Sequence, residues 1–290
     1  MSPGAALPPL LLYFAAAFHP IADDLVGART VACLHHFRLA GARRSAQRNK
    51  GGGGTSRRGT FAEQSAVRPR AREVAVSNVL LVHEDPKFLV LEKPAGLLAV
   101  PGKGPDKQDC LSTRAQARWA DALVVHRLDM ATSGLVVVAR GIEAQRTLSL
   151  AFEERRVHKR YTAVVAGELV NPQADNGWNT IDLPLMADWP NRPLQKVDHA
   201  HGKPSITRWR IAPGQTPPGT TRLELEPVTG RTHQLRVHLQ ALGHPMVGDA
   251  LYAAPDVVAM ANRLLLHAHW LSLPHPFHGQ TMAFHSPCPF

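Results

Sequence analysis

His126-Arg127-Leu128-Asp129-Met130-Ala131-Thr132-Ser133-Gly134, running into Leu135-Val136-Val137-Val138-Ala139-Arg140, sets one carboxylate on a polar, glycine-terminated turn. The turn lies between two β-branched apolar runs, Leu123-Val124-Val125 and Leu135 to Val138, which read as buried strands. An acid delivered there to a dry cleft is a candidate catalytic group, provided a cation or several N–H donors keep it ionised. The same residues also suit an Asp that caps a turn through Thr132 or Ser133.

Working outward, Val79 to His83 and Phe88 to Glu92 read as a hairpin around Glu84-Asp85-Pro86-Lys87, and Leu111 to Ala120 as a short helix. Ile142 to Val157 reads as an amphipathic helix burying Leu148 and Phe152. Strands are expected at Tyr161 to Leu169, Ser205 to Ile211, Arg222 to Glu226, Leu264 to Leu273 and Met282 to His285, with a helix from Arg231 to Leu242. Strands outnumber helices and few alternate as β-α-β, so the pattern predicts an α+β fold with a mixed, largely antiparallel sheet.

Several blocks of the chain resemble the RluA-type pseudouridine synthases. His126 to Leu135 is similar to the family signature. Leu91-Glu92-Lys93-Pro94-Ala95-Gly96-Leu97 precedes it; Lys159-Arg160-Tyr161, Thr229-Gly230-Arg231-Thr232-His233-Gln234-Leu235-Arg236 and Gly243-His244-Pro245-Met246-Val247-Gly248-Asp249 follow in the family's order. Two more stretches, Asp188-Trp189-Pro190-Asn191-Arg192-Pro193 and Lys196-Val197-Asp198 with Gly202-Lys203-Pro204, are similar to the family's dual-specificity members. The resemblance covers roughly residues 78 to 290.

The resemblance implies an isomerase that converts uridine to pseudouridine in structured RNA. It implies that Asp129 is the essential carboxylate, Arg231 its ion-pair partner, and Tyr161 the ring that stacks on the uracil and handles the C5 proton. Arg127 would enter the RNA stack as the target base leaves it, and His126, Lys159, Arg160, Arg192 and Lys196 would contact RNA. It further implies two targets, the uridine that opens the tRNA anticodon loop and a hairpin-loop uridine of 23S rRNA. A ribosomal-only synthase and a catalytically idle RNA-binding factor on the same scaffold are the alternatives.

Composition limits the other classes. The net charge of +10 is uneven: residues 1–75 carry eleven Lys/Arg against four Asp/Glu, and residues 76–290 carry 22 against 19. The basic excess thus lies mostly outside the expected catalytic domain at 76–290, whose RNA affinity must come from local clustering. Three cysteines far apart argue against a disulfide framework and suit a reducing cytoplasm. Sixteen histidines invite a metal, in pairs such as His233 and His238, but no Glu or Cys stands at a metalloenzyme spacing and no Gly-rich nucleotide loop occurs. Neither a metal nor another cofactor is expected. Leu7 to Ala17 is too short for a membrane span and lacks the basic residues of an export signal before it. Arg43 to Lys50, four glycines and Arg57-Arg58 read as a disordered basic linker; an upstream start codon assigned in error is the first-ranked account of residues 1–75, ahead of an organelle leader, which Asp23-Asp24 argue against.

Overall fold

A computed structural model describes residues 79–170 and 177–290. The readings made above for residues 1–75 lie outside the described residues. In chain order the elements are β1 (Leu80–Glu84), β2 (Phe88–Lys93), α1 (Leu111–Arg118), β3 (Ala122–Val124), β4 (Ser133–Arg140), α2 (Ile142–Glu153), β5 (His158–Ala166) and β6 (Asn179–Asp182). They continue with β7 (Leu185–Ala187), β8 (Gln195–Val197), β9 (Ile206–Ile211), β10 (Thr220–Pro227), α3 (Gln234–Ala241), α4 (Pro255–Ala259), β11 (Leu266–Pro274) and β12 (Thr281–His285).

Eight strands follow the order β1-β2-β4-β11-β5-β10-β9-β6, with β3 paired to β4 and β12 to β11. Among the pairings between the described strands only β4 with β11 is parallel, so the sheet is mixed and largely antiparallel as the pattern predicts. β7 and β8 form a separate two-stranded hairpin.

The run Leu135 to Val138 is apolar on both faces because β4 is central and covered twice. Val136 and Val138 enter one core with Leu89, Leu91, Leu223 and Leu225. Leu135 and Val137 enter another with Ala144, Leu148 and Ala151 of α2, which recur at the spacing of one helical face. Gly134 is required where β4 meets β11. Its φ is 115°, and a Cβ there would stand 2.3 Å from the Ala268 carbonyl oxygen.

Of the boundaries that differ from expectation, three move a side chain that matters. α2 ends at Glu153 rather than Val157, because Arg155 turns left-handed (φ 58°) and the Arg156 N–H reaches back to the Ala151 carbonyl at 2.9 Å. β5 begins at His158, so Lys159, Arg160 and Tyr161 are strand residues with alternating directions. α3 begins at Gln234 rather than Arg231. His233 is left-handed at the N-cap (φ 54°), and the Gln234 side-chain oxygen accepts from the Thr229 hydroxyl (2.7 Å) and the Arg231 N–H (3.0 Å). That leaves Arg231 in the loop and puts Arg236 on the helix.

Candidate active site

The chain turns at Met130 and Ala131, where the Thr132 N–H donates to the Asp129 carbonyl at 3.1 Å. A lysine holds this turn from beneath. Lys93 is fully buried and donates to the carbonyls of Pro94 (2.8 Å), Leu97 (2.7 Å) and Met130 (3.0 Å). Burial lowers its pKa to about 7 against the upward pull of the Asp129 charge. The sequence of the Lys-Pro block assigns this residue no role, because nothing in the type or spacing of a lysine announces that it is buried.

Ser133, at the other end of the turn, opens an oriented chain of hydrogen bonds. Ser286 Oγ donates to Glu92 Oε2 (2.6 Å) and so accepts from His267 Nε2 (3.0 Å). His267 Nδ1 then accepts from Ser133 Oγ (2.8 Å), which itself accepts from Arg263 Nη2 (2.6 Å). His267 is completely buried, and burial lowers its pKa to about 4. Its folded value lies below its unfolded one, so its contribution is full above pH 6.5 and is lost as pH falls from 6.5 toward 4. Urea unfolding should show stability falling over that window by about 1.4 kcal/mol per pH unit from this residue. A His267→Gln variant should show a shallower slope; an unchanged slope would place the acid sensitivity elsewhere.

Asp129 opens onto a cleft of about 550 Å³ whose walls include His126, Arg127, Lys159, Tyr161, Arg155 and Arg231. Its cation is not the one expected. Arg231 is exposed; its backbone N–H bonds to Gln234, and its Nε lies 3.4 Å from the Pro204 carbonyl. Arg236, five residues on, brings Nη1 to 3.6 Å from Asp129 Oδ2 and is only 4% exposed. Behind it, Arg236 grips the buried Asp249 with two hydrogen bonds of 2.8 and 2.5 Å. Burial alone would lower the guanidinium pKa, but the bonds to Asp249 and the charges of Asp249 and Asp129 raise it instead. The expected pairing of Arg231 with Asp129 is therefore corrected to Arg236 with Asp129. Both arginines lie in one block, and the start of α3 decides which of them faces inward.

His233 adds a second group to the carboxylate, with Nε2 3.9 Å from Asp129 Oδ2. Tyr161 is 8% exposed, and burial followed by the Asp129 charge pushes its phenol up, so it stays protonated at neutral pH.

The six residues expected to contact RNA separate into two groups. Arg127 and Lys159 line the cleft, with Lys159 Nζ 5.5 Å from the centre of the Phe152 ring. His126 lines it too, but its Nε2 accepts the Val137 N–H (3.0 Å) and its ring stacks on Phe152, centres 4.6 Å apart. Burial, then Lys159, lowers its pKa far below the ordinary value, so it presents a neutral ring. Arg160 is not a cleft residue. As the strand neighbour of Tyr161 it points to the opposite face, where it meets Glu224 and Glu226 at 3.5 Å. Arg192 stands 3.5 Å over the exposed Trp189 ring and Lys196 lies 3.9 Å from Asp198, both outside the cleft on the β7–β8 hairpin.

Comparison with known proteins then decides the family. Residues 87–241 match the family described as RNA pseudouridylate synthase. The chain belongs to the RNA pseudouridylate synthase family. It is 46% identical over 212 residues to the dual-specificity RNA pseudouridine synthase RluA of Escherichia coli K12, spanning 73% of this chain and 94% of that protein. The RluA of Yersinia pestis is 47% identical over 206 residues, spanning 71% of this chain and 97% of its own length. Among solved structures, human RNA pseudouridylate synthase domain containing 1 superposes with a TM-score of 0.60 at 29% identity, covering 75% of this chain and 86% of that one. The chain is thus an RNA pseudouridine synthase, an isomerase acting on RNA. Among the described residues no helix is long and apolar enough to cross a membrane.

Proposed function

We propose that this synthase has dual specificity, isomerising the uridine that opens the tRNA anticodon loop and a hairpin-loop uridine of 23S rRNA, in the cytoplasm and without a metal or other cofactor. The reaction breaks the bond from C1′ to N1, turns the uracil in place, joins C5 to C1′ and releases the C5 proton. It needs a carboxylate beside the sugar, a cation to hold that carboxylate, a ring against the base and room for the base to turn. Asp129 beside Arg236 in the lining of the cleft is the observation that carries the catalytic part of this reading.

In this reading Asp129 works at the sugar, as nucleophile at C1′ or as base at C2′; both roles use the same position. Tyr161 lies against the uracil. Its raised pKa favours stacking over service as a ready-made base for the C5 proton. Arg127 fills the space the flipped base leaves, and Lys159 and the exposed Arg231 meet phosphates at the rim. Unstacking costs a few kcal/mol, least for a loop nucleotide, which favours hairpin loops as substrates. Dual specificity rests on relatives 46–47% identical that bear that description. Residues 76–290 act as the catalytic domain, with Arg192 and Lys196 reaching RNA from the β7–β8 hairpin.

The test is the purified protein, whole and as residues 76–290, on an unmodified anticodon stem-loop and a 23S rRNA hairpin, separately and in competition. Both forms should modify both RNAs at the loop uridine. Modification of the rRNA hairpin alone would favour a ribosomal-only synthase, and an inactive shortened chain would make residues 1–75 part of the catalytic unit.

A further inference from the structure

Tyr252, in the loop that follows α3, is 7% exposed, and its hydroxyl has two partners. The backbone N–H of Gln195, the first residue of β8, donates to Tyr252 Oη at 2.9 Å. His233 Nδ1 lies 2.6 Å from the same oxygen. Because Oη already accepts from Gln195, its own hydrogen is available for His233 Nδ1, which then accepts. Burial, the largest influence, lowers the His233 pKa, so the ring is neutral at pH 7 and carries one proton. With Nδ1 accepting, that network assigns the proton to Nε2, the nitrogen facing Asp129.

His233 stands at the N-cap of α3 with a left-handed φ of 54°, a conformation that His, like Asn, adopts more readily than most residues, and this turn aims its ring at the cleft. The 3.9 Å from Nε2 to Asp129 Oδ2 exceeds hydrogen-bond length, as is common before substrate closes a site. Arg236 Nη1 reaches the same oxygen, so the carboxylate is set between a charged fork and a neutral N–H donor.

We infer that His233 is a positioning residue for Asp129, donating from Nε2, and that Tyr252 sets its tautomer and ties it to the β7–β8 hairpin. The inference rests on the catalytic role proposed above for Asp129. It gives the hairpin, which carries Arg192 and Lys196, a path to the reacting carboxylate: hydrogen bonds from Gln195 to Tyr252 and from Tyr252 to His233, then a 3.9 Å gap to Asp129 that closes when substrate binds. The path holds Asp129 in one orientation and leaves the chemistry to Asp129 itself.

The test combines rates with a nitrogen-15 spectrum. With the anticodon stem-loop saturating, Tyr252→Phe should lower the isomerisation rate about tenfold, the effect of one lost hydrogen bond, with RNA affinity within about twofold of wild type. His233→Asn, a residue that tolerates the left-handed backbone, should lose at least as much. Groups in series are not additive, so the double variant should be no slower than His233→Asn. In histidine-labelled wild type, the His233 signals, assigned by their loss in His233→Asn, should show Nε2 protonated, and Tyr252→Phe should give a mixture of tautomers. A wild-type rate in Tyr252→Phe, additive losses, or a proton on Nδ1 would overturn the inference. A wild type that makes no pseudouridine would sink the functional reading, while the spectrum would still decide the tautomer.

Discussion

Asp129→Asn should fold, bind RNA and make pseudouridine at less than about a thousandth of the wild-type rate, since no amide supplies what a nucleophilic or basic carboxylate does. The fold should persist because the turn is held by the Asp129 carbonyl rather than the side chain, and by Lys93 and Ser133 on either side. Arg236 also keeps its two bonds to Asp249, so no buried cation is stranded. Matched melting curves and RNA affinities with product lost would complete the result. Retention of even a tenth of wild-type turnover would remove Asp129 from its role.

The second large effect separates two arginines of one block. Arg236→Leu removes the cationic partner of Asp249, whose completely buried side chain then keeps only the Leu251 and Tyr252 N–H groups, and a buried charge left without its counter-ion costs about 3–5 kcal/mol. Against a total of about 5–15 kcal/mol, that is a large share of the stability of a domain. Arg236→Lys is the informative companion. It keeps the charge but loses the fork that spans Asp249 and Asp129, so it should fold and turn over about 10- to 100-fold more slowly. Arg231→Leu should unfold like wild type and turn over normally once RNA saturates, with weaker binding as its only defect. Urea unfolding and single-turnover rates on the three variants check this together. A slow, normally folded Arg231→Leu beside a fast Arg236→Lys would return the ion pair to Arg231.

The Asp129 turn was legible in the sequence because two β-branched runs and a glycine bracket it, and those runs are the strands that deliver it. The ion-pair partner was not. Choosing between Arg231 and Arg236 requires the first residue of α3, and that start is set by a left-handed His233 and a capping Gln234 side chain that hydrophobic periodicity does not register. Arg160 was misplaced for a related reason. Adjacent residues on a strand face opposite ways, and β5 begins three residues earlier than its apolar pattern announces, because His158, Lys159 and Arg160 form a polar start. The β7–β8 hairpin escaped notice because strands of three residues are too short to show alternation. Lys93 and His267 escaped because buried polar groups are recognised by the partners that satisfy them: Lys93 is held by backbone carbonyls, which every residue carries, and His267 by Ser133 and Ser286, which are distant in the chain.

The measurement that tests the central claim most directly is release of the C5 hydrogen. RNA transcribed with tritium at C5 of uridine gives that label up to water when C5 becomes bonded to C1′ and its proton leaves. Wild-type protein with labelled anticodon stem-loop should release one equivalent of tritium per target uridine without added metal or cofactor, and Asp129→Asn should release none above background. Tritium release by Asp129→Asn at the wild-type rate, or none from either protein on any structured RNA, would contradict the account.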